Sequence, residues 1–459
     1  MGTSCKPLKD LTTEDPQKPG EYDGIQKHVG DLVPGRIWID GCFDFFHHGH
    51  AGAIVQARQL GAELYAGVHS DKAIFENKGP TVMTLDERMT AVDACRWVTR
   101  SIAKAPYVTD LEWIDYYGCQ DVVHGDDITS DSSGEDCYRF VKAAGRFKVV
   151  KRTPMISTTD LVGRMLIISR EHFIKSFQAV LAGQEGSGTG EEREALAKAM
   201  KERIILYATD SSAVKPGVEI WFWSSSFESK RLLTREEKGV FTPLVKGPQP
   251  KPGQRVVYVD GGFDLFSMGH IQFLRKVIEA EEALAKENGW CGERRVAERI
   301  EREGEDYPPA FVVAGIHDDE VINDVKGLNF PIMNIYERGL CLLQCRYVNA
   351  AIFGAPFSPN KAYLGELPFG TPDAVYHGPT DFMGLEYDPY EAPKAMGIFH
   401  EVPKHGYEEI NAEAIVNRIM LNRQQYLERQ QAKAKKAQNE EEKKKLETEL
   451  ELAKNRTTA

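Results

Sequence analysis

From residue 36 onward, short apolar runs rich in β-branched residues alternate with segments of helical period. Arg36–Ile39, Glu63–Val68, Ser101–Ala103 and Asp121–Val123 read as strands. Ala51–Leu60, Asp86–Cys95, Asp110–Tyr117 and Glu135–Ala144 read as helices. Strands that alternate with helices are joined by crossovers, so the pattern predicts an α/β fold with a mainly parallel sheet covered on both faces. Ligands of such sheets bind outside the carboxyl ends of the strands. The residues that follow each strand are therefore the first place to look for chemistry.

The pattern occurs twice. Ile39-Asp40-Gly41-Cys42-Phe43-Asp44-Phe45-Phe46-His47-His48-Gly49-His50 is echoed by Val259-Asp260-Gly261-Gly262-Phe263-Asp264-Leu265-Phe266-Ser267-Met268-Gly269-His270. In the same order, Ala66-Gly67-Val68-His69 matches Ala314-Gly315-Ile316-His317, Lys78-Gly79 matches Lys326-Gly327, and Glu87-Arg88 matches Glu337-Arg338. Cys95-Arg96-Trp97-Val98 matches Cys345-Arg346-Tyr347-Val348, Ala105-Pro106-Tyr107 matches Ala355-Pro356-Phe357, and His124-Gly125 matches His377-Gly378. A repeat of this length denotes two copies of one domain, not a solenoid of short units.

Residues 1–33 are polar, contain Pro16, Pro19 and Gly20, and are expected to be mobile. The first copy spans 34–170 and the second, degenerate copy 254–425. Residues 171–253 read as a linker with a flexible Gly183–Gly190 stretch, a short helix over Glu191–Lys201 and a proline-rich run over Pro243–Pro252. A charged insertion, Ala283–Pro309, has no counterpart in the first copy and reads as a surface helix and loop. Residues 426–459 form a charged helical tail. Its apolar face fades past Tyr426, which favours a solvated helix over a membrane-binding one.

The chain has 459 residues, 42% hydrophobic and 27% charged, as expected for a globular protein of more than one domain. A net charge of −12 argues against a nucleic-acid binder, so any anion site must be a local cationic pocket. The eight cysteines are scattered without a C-x-x-C pair, although Cys341 and Cys345 could share a helix face. Neither zinc nor a disulfide framework is expected, and a reducing cytoplasm fits. No run approaches the length of a membrane span. Gly2 is followed by Lys6 where a myristoylation site wants Ser or Thr.

His47, Gly49 and His50 lie between a strand and a helix start. Such a start offers backbone N–H groups and partial positive charge to a phosphate. Glycine leaves room for close approach, and the imidazoles add donors. Lys151-Arg152-Thr153-Pro154-Met155-Ile156-Ser157-Thr158-Thr159-Asp160 opens another helix, Leu161–Ile168, capped by Ser157 or Thr158. A plain capped helix would account for this segment alone. Arg152 adds a guanidinium that clamps phosphate. Lys78 is the third cationic candidate, singled out by its repetition in both copies.

On these residues the chain resembles the CTP:phosphoethanolamine cytidylyltransferases, from the cytidylyltransferase branch of the HxGH nucleotidyltransferases. The resemblance covers roughly 34–170 and 254–425, and rests on Asp40–Asp44, His47-x-Gly49-His50, Lys78-Gly79 and Arg152-Thr153 through Asp160, which is similar to the RTxGIST signature. It implies two tandem Rossmann-like domains with parallel sheets plus a charged C-terminal helix. It implies transfer of CMP from CTP to phosphoethanolamine, giving CDP-ethanolamine and pyrophosphate for phosphatidylethanolamine synthesis. Magnesium would arrive with CTP and use few protein ligands. The implied setting is the cytoplasm, with peripheral contact at the endoplasmic reticulum, and a homodimer is left open. His47, His50, Lys78 and Arg152 are the implied catalytic residues. Gly41, Cys42, Phe43, Gly49, Ser157 and Thr158 would bind CTP, and Asp40, Tyr107 and His124 phosphoethanolamine.

Three departures matter. Met155 replaces the signature glycine, Ser267 replaces the first histidine in the second copy, and Lys404–Glu409 stands where that copy should carry an arginine–serine–threonine element. The second copy is therefore expected to be inactive. Three other readings compete: a cytidylyltransferase for phosphocholine or another phosphorylated alcohol, a nucleotide-binding regulatory protein without turnover, and an adenylyl-transferring ligase. A primary ammonium calls for acceptors such as Asp40 and His124, whereas a quaternary one calls for an aromatic cage. Tyr107 suits either, so the head group follows from the resemblance.

Overall fold

The computed structural model describes residues 15–426, except 17, 128, 155, 168, 226–237, 380–384 and 386, and also 428. Its first half runs β1 (Val33–Gly41), α1 (His48–Gln59), β2 (Glu63–His69), α2 (Asp71–Lys78), α3 (Leu85–Ala94), β3 (Arg100–Ala105), α4 (Leu111–Tyr116), β4 (Cys119–Gly125), α5 (Arg139–Ala143), β5 (Phe147–Val150) and α6 (Thr158–Leu166). Its sheet has the order β3-β2-β1-β4-β5, and every pairing is parallel. Ile37, Trp38, Ile39 and Asp40 of the central strand are all buried, because helices cover both faces.

Residues 171–253, expected to be a linker, are part of the fold. They form α7 (Phe177–Leu181), α8 (Gly190–Tyr207), β6 (Glu219–Ser225) and β7 (Gly239–Val245). Thr189 caps α8 in a capping box with Glu192, and the helix runs on to Tyr207, past the expected end at Lys201, because Met200, Ile204 and Tyr207 continue its buried face.

The second half follows with β8 (Arg255–Gly261), α9 (Met268–Glu287), α10 (Glu293–Glu303), β9 (Ala310–Ile316), α11 (Asp319–Lys326), α12 (Ile335–Leu343), β10 (Ala350–Phe353), α13 (Lys361–Gly365), β11 (Ala374–His377), α14 (Glu391–Ala395), β12 (Phe399–Glu401) and α15 (Ala412–Leu421). Its sheet order is β12-β11-β8-β9-β10-β6-β7. The first five repeat the first sheet. β6 then adds in parallel to β10, and β7 returns antiparallel, so this sheet is mixed where a parallel one was expected. Pro243 fits on β7 because an edge strand can lack one N–H. In the insertion, α9 extends to Glu287 before α10 begins.

The N-terminal segment is anchored where it is described, against the expectation of mobility. Tyr117 donates to Asp23 and Tyr116 to the Ile25 carbonyl, at 2.6 and 2.7 Å. Residues 1–14 and almost all of the expected tail lie outside the described residues. Among the described residues no helix is long and apolar enough to cross a membrane.

The halves face each other with reciprocal contacts. Arg96 donates to the carbonyls of Cys345 and Val348, and Arg346 to those of Cys95 and Val98. Arg164 of α6 reaches across to Glu337 of α12 at 2.7 Å, and Arg418 of α15 reaches back to Glu87 of α3 at the same distance. Burial opposes ionisation of Glu337, but the Arg164 pair outweighs it and holds the carboxyl below its ordinary value. One apolar cluster joins Ile54 and Val92 of the first half, Ile204 of α8, and Leu340 and Ile415 of the second.

Candidate active site

The expected strand–turn–helix is present, with a helix start capped in an unusual way. His47 is the N-cap of α1. Its Nδ1 accepts the Gly49 N–H at 3.0 Å, and Nδ1 of His50 accepts the His47 N–H at 3.4 Å. Two imidazoles thus form the reciprocal box that Ser or Thr and Glu or Gln usually make. With both Nδ1 atoms accepting, each neutral ring carries its proton on Nε2. The rings stack with centroids 4.0 Å apart, and Phe43 and Phe46 hold the His50 ring. Gly49 is needed for close packing: a Cβ there would lie 2.7 Å from the His47 ring and 2.8 Å from Ile156. Its N–H is taken by His47, so the imidazoles stand where a free helix N–H was expected.

Gly41, Cys42 and Phe43 form the turn leaving β1. Phe43 holds a left-handed conformation at φ 50°, and its counterpart Phe263 repeats it at 49°. Such a conformation is disfavoured for an aromatic residue and is held here by the surrounding packing. Buried Arg88 fixes the turn by donating to the Cys42 carbonyl at 2.6 Å. Asp44 accepts the N–H groups of Val82 and Met83, tying down the loop after Lys78.

The second signature lies against the same helix start. Ile156 packs on Gly49, and Thr153 faces Gly52 of α1. Gln56 of α1 holds the Lys151 carbonyl at 2.9 Å. Arg152 is exposed, with its backbone N–H donating to Asp126 at 3.0 Å. Ser157 is the N-cap of α6: it accepts from the Asp160 N–H and donates its proton to the Asp160 carboxylate at 2.7 Å. Thr158 donates to the Asp44 carbonyl at 2.5 Å. Both hydroxyl protons are thus committed within the chain in this arrangement. Met155, in place of the signature glycine, lies outside the described residues.

Lys78 ends α2 and places Nζ 5.6 Å from the centre of the Tyr107 ring. Tyr107 is buried, with His69 5.1 Å away between ring centres. Asp40 is buried beneath and accepts from Trp38 Nε1, Thr109 and Tyr138 at 2.7, 2.5 and 2.7 Å. His124 packs on Tyr138 at 4.7 Å, with Asp127 3.9 Å from its Nδ1. The structure thus gathers Asp40, Lys78, Tyr107 and His124 at the strand ends. Arg88, Thr109, Tyr138 and His69 belong to this frame and were not singled out as site residues. The signal for two of them was present, since Arg88 and His69 fall in the repeated segments.

In the second half, Ser267 keeps the N-cap role and its N–H donates to His270 at 3.1 Å, so the cap survives while one imidazole donor is lost. The Ser267 hydroxyl donates to the Ile410 carbonyl. A Cβ on Gly269 would meet backbone oxygens of Ile410 and Tyr407 at 2.7 and 2.9 Å, so the 407–410 segment lies directly on this helix start. Lys326 is paired with Glu413 at 3.2 Å. A carboxylate occupies the first turn of α15, where the first half has Thr159.

Residues 38–164 match the family described as Cytidylyltransferase-like. A choline-phosphate cytidylyltransferase A of Rattus norvegicus is 38% identical over 135 residues, covering 29% of this chain and 37% of that protein. An ethanolamine-phosphate cytidylyltransferase of Dictyostelium discoideum is 37% identical over 409 residues, covering 88% of this chain and 96% of that protein. Another, from Mus musculus, is 37% identical over 418 residues, covering 89% and 92%. The choline relative aligns with about one domain and the ethanolamine relatives with both, so the chain belongs to the ethanolamine-phosphate cytidylyltransferase family.

Proposed function

We propose that the first half transfers CMP from CTP to phosphoethanolamine, giving CDP-ethanolamine and pyrophosphate for phosphatidylethanolamine synthesis. The observation that supports this reading is the packing of the 152–158 loop, through Thr153 and Ile156, against the helix start that carries the imidazole pair, with Lys78 near Tyr107 at the neighbouring strand ends. A phosphate oxygen of phosphoethanolamine attacks the α-phosphorus of CTP in line with the departing pyrophosphate, and no covalent intermediate is required.

The obstacle is charge. Two like unit charges 4 Å apart repel by roughly 4 kcal/mol at an effective dielectric of 20, and both substrates carry several. The Nε2–H groups of His47 and His50 donate to the triphosphate, held ready by the reciprocal cap. Lys78 lies between the α-phosphate and the incoming phosphate. Arg152 and the N-terminus of α6 receive the leaving pyrophosphate. Groups held in place before reaction stabilise the charge that builds in the transition state.

Magnesium belongs to this proposal as a companion of CTP. Among the described residues no group of three or more His, Cys, Asp or Glu could hold a metal. Phosphate oxygens and water would supply most of its ligands, and it would supply charge neutralisation. Cytoplasmic residence, with peripheral contact at the endoplasmic reticulum, follows from the same reading.

The second half is proposed to be inactive. Its lysine is paired with Glu413, and its helix start is covered by residues 407–410.

The test is incubation of the purified chain with CTP, magnesium and either phosphoethanolamine, phosphocholine or another phosphorylated alcohol, with pyrophosphate as the readout. Release fastest with phosphoethanolamine is expected. Faster release with phosphocholine, or none with any acceptor, would overturn the reading.

A further inference from the structure

The strand ends around Asp40 carry two histidines in the same electrical situation. One is His124. The other is His69, the last residue of β2. Its Nδ1 lies 3.2 Å from the Ala105 carbonyl oxygen on β3. A carbonyl only accepts, so Nδ1 carries the proton and the neutral ring has a lone pair on Nε2, at its opposite edge. His124 is built alike, with Nδ1 3.2 Å from the Gly125 carbonyl. This reverses the arrangement at His47 and His50, whose Nδ1 atoms accept and whose Nε2 atoms donate. The site therefore sorts its imidazoles: donors at the helix start, where phosphate must sit, and acceptors at the Asp40 end.

We infer that His69 is a specificity-determining residue for the acceptor substrate, its Nε2 accepting a hydrogen bond from a primary ammonium alongside Nε2 of His124. This rests on the phosphoethanolamine reading above. The spacing supports it. Lys78 stands 5.6 Å from the centre of the Tyr107 ring, and His69 lies 5.1 Å from that centre. A phosphate held by Lys78 would have its two-carbon arm pass along Tyr107 toward His69. Burial holds His69 below the ordinary imidazole value, with Lys78 and Arg88 adding to it while Asp40 and the Ala105 bond oppose. Burial also lowers His124, more than Asp127 and Asp40 raise it. Both rings are therefore uncharged at neutral pH and do not repel a cation. A quaternary ammonium has no N–H to donate, so it would face two lone pairs without bonding either.

The Nδ1 bond also ties β2 to β3. The second half keeps it between His317 and the Ala355 carbonyl at 3.1 Å, so an effect of this bond has to be separated from an effect of Nε2. His69→Asn retains a donor near the Nδ1 position and removes the atom at Nε2. His69→Gln retains an acceptor near Nε2 and removes the donor at Nδ1. The experiment measures kcat/KM of the full-length chain for phosphoethanolamine and its N-methyl, N,N-dimethyl and N,N,N-trimethyl forms, with the melting temperature and KM for CTP as controls.

Wild type should lose activity as N–H groups are removed, by about tenfold or more across the series. In His69→Asn, KM for phosphoethanolamine should rise by about tenfold and the series should flatten, with KM for CTP little changed. His69→Gln should keep more of the discrimination. An unchanged methylation series in His69→Asn, or an equal loss for all four substrates, would overturn the role given to Nε2. Wild-type preference for the trimethyl substrate would instead overturn the phosphoethanolamine reading itself.

Discussion

At His47 and His50 the same rings serve structure and, in the proposed reaction, chemistry. Their Nδ1 atoms close a helix cap, which puts the ring protons on Nε2, the atoms assigned to the triphosphate in the proposed reaction. The second half shows what remains when only the structural task is kept: Ser267 caps α9 and offers no second imidazole. His47→Ser should therefore retain a helix cap. Its effect on stability should stay within about 1 kcal/mol, while turnover falls by about 10²-fold or more. Urea unfolding and pyrophosphate release measure the two, and near-normal turnover would remove His47 from the mechanism. Asp40 carries a related lesson. Proposed as an acceptor for the amine, its carboxylate also accepts from Trp38, Thr109 and Tyr138 and so holds the latter two hydroxyls in place.

Among the elements, α6 and α15 play matching parts. Each follows the loop that closes its own half, and each sends an arginine to a glutamate of the other half. Arg164→Ala would leave Glu337 buried without its partner. The cost should be about 3 kcal/mol at pH 7, at the low end for a buried pair because Arg164 keeps partial exposure. The sign with pH follows from the lowered Glu337. A carboxyl held below its unfolded value contributes stability that is present above that value and is lost as pH falls through the folded one. The difference between wild type and Arg164→Ala should therefore be largest near neutrality and shrink below about pH 4. Urea titrations across that range check it, and a difference independent of pH would mean that the pair contributes little. Elements with a clear period, such as β1 and α1, were legible in the chain. α2 was not, because Ile74 is its only buried residue and a single position makes no stripe. β6 and β7 were missed because their place depends on the edge that β10 offers them.

For the molecule as a whole, the duplication has produced unequal halves around one core. The second half keeps the packing residues Glu337, Arg338 and Arg346 while its phosphate site is filled by its own chain. His270→Ala should leave most of the turnover intact, with any loss following stability; complete loss of activity in a folded variant would show that the second half takes part in the reaction. The duplicated segments, the strand–turn–helix with its histidines, and the α/β class could all be read from residue order, because periodicity and motif spacing are local properties of a chain. Other features needed the folded molecule. The proton positions on His69 and His47 depend on whether a carbonyl or an N–H faces the ring, and for His69 that partner is 36 residues away. The incorporation of residues 171–253 into the second sheet, and the merging of both halves into one apolar cluster, likewise depend on surfaces that exist only after distant segments have packed together.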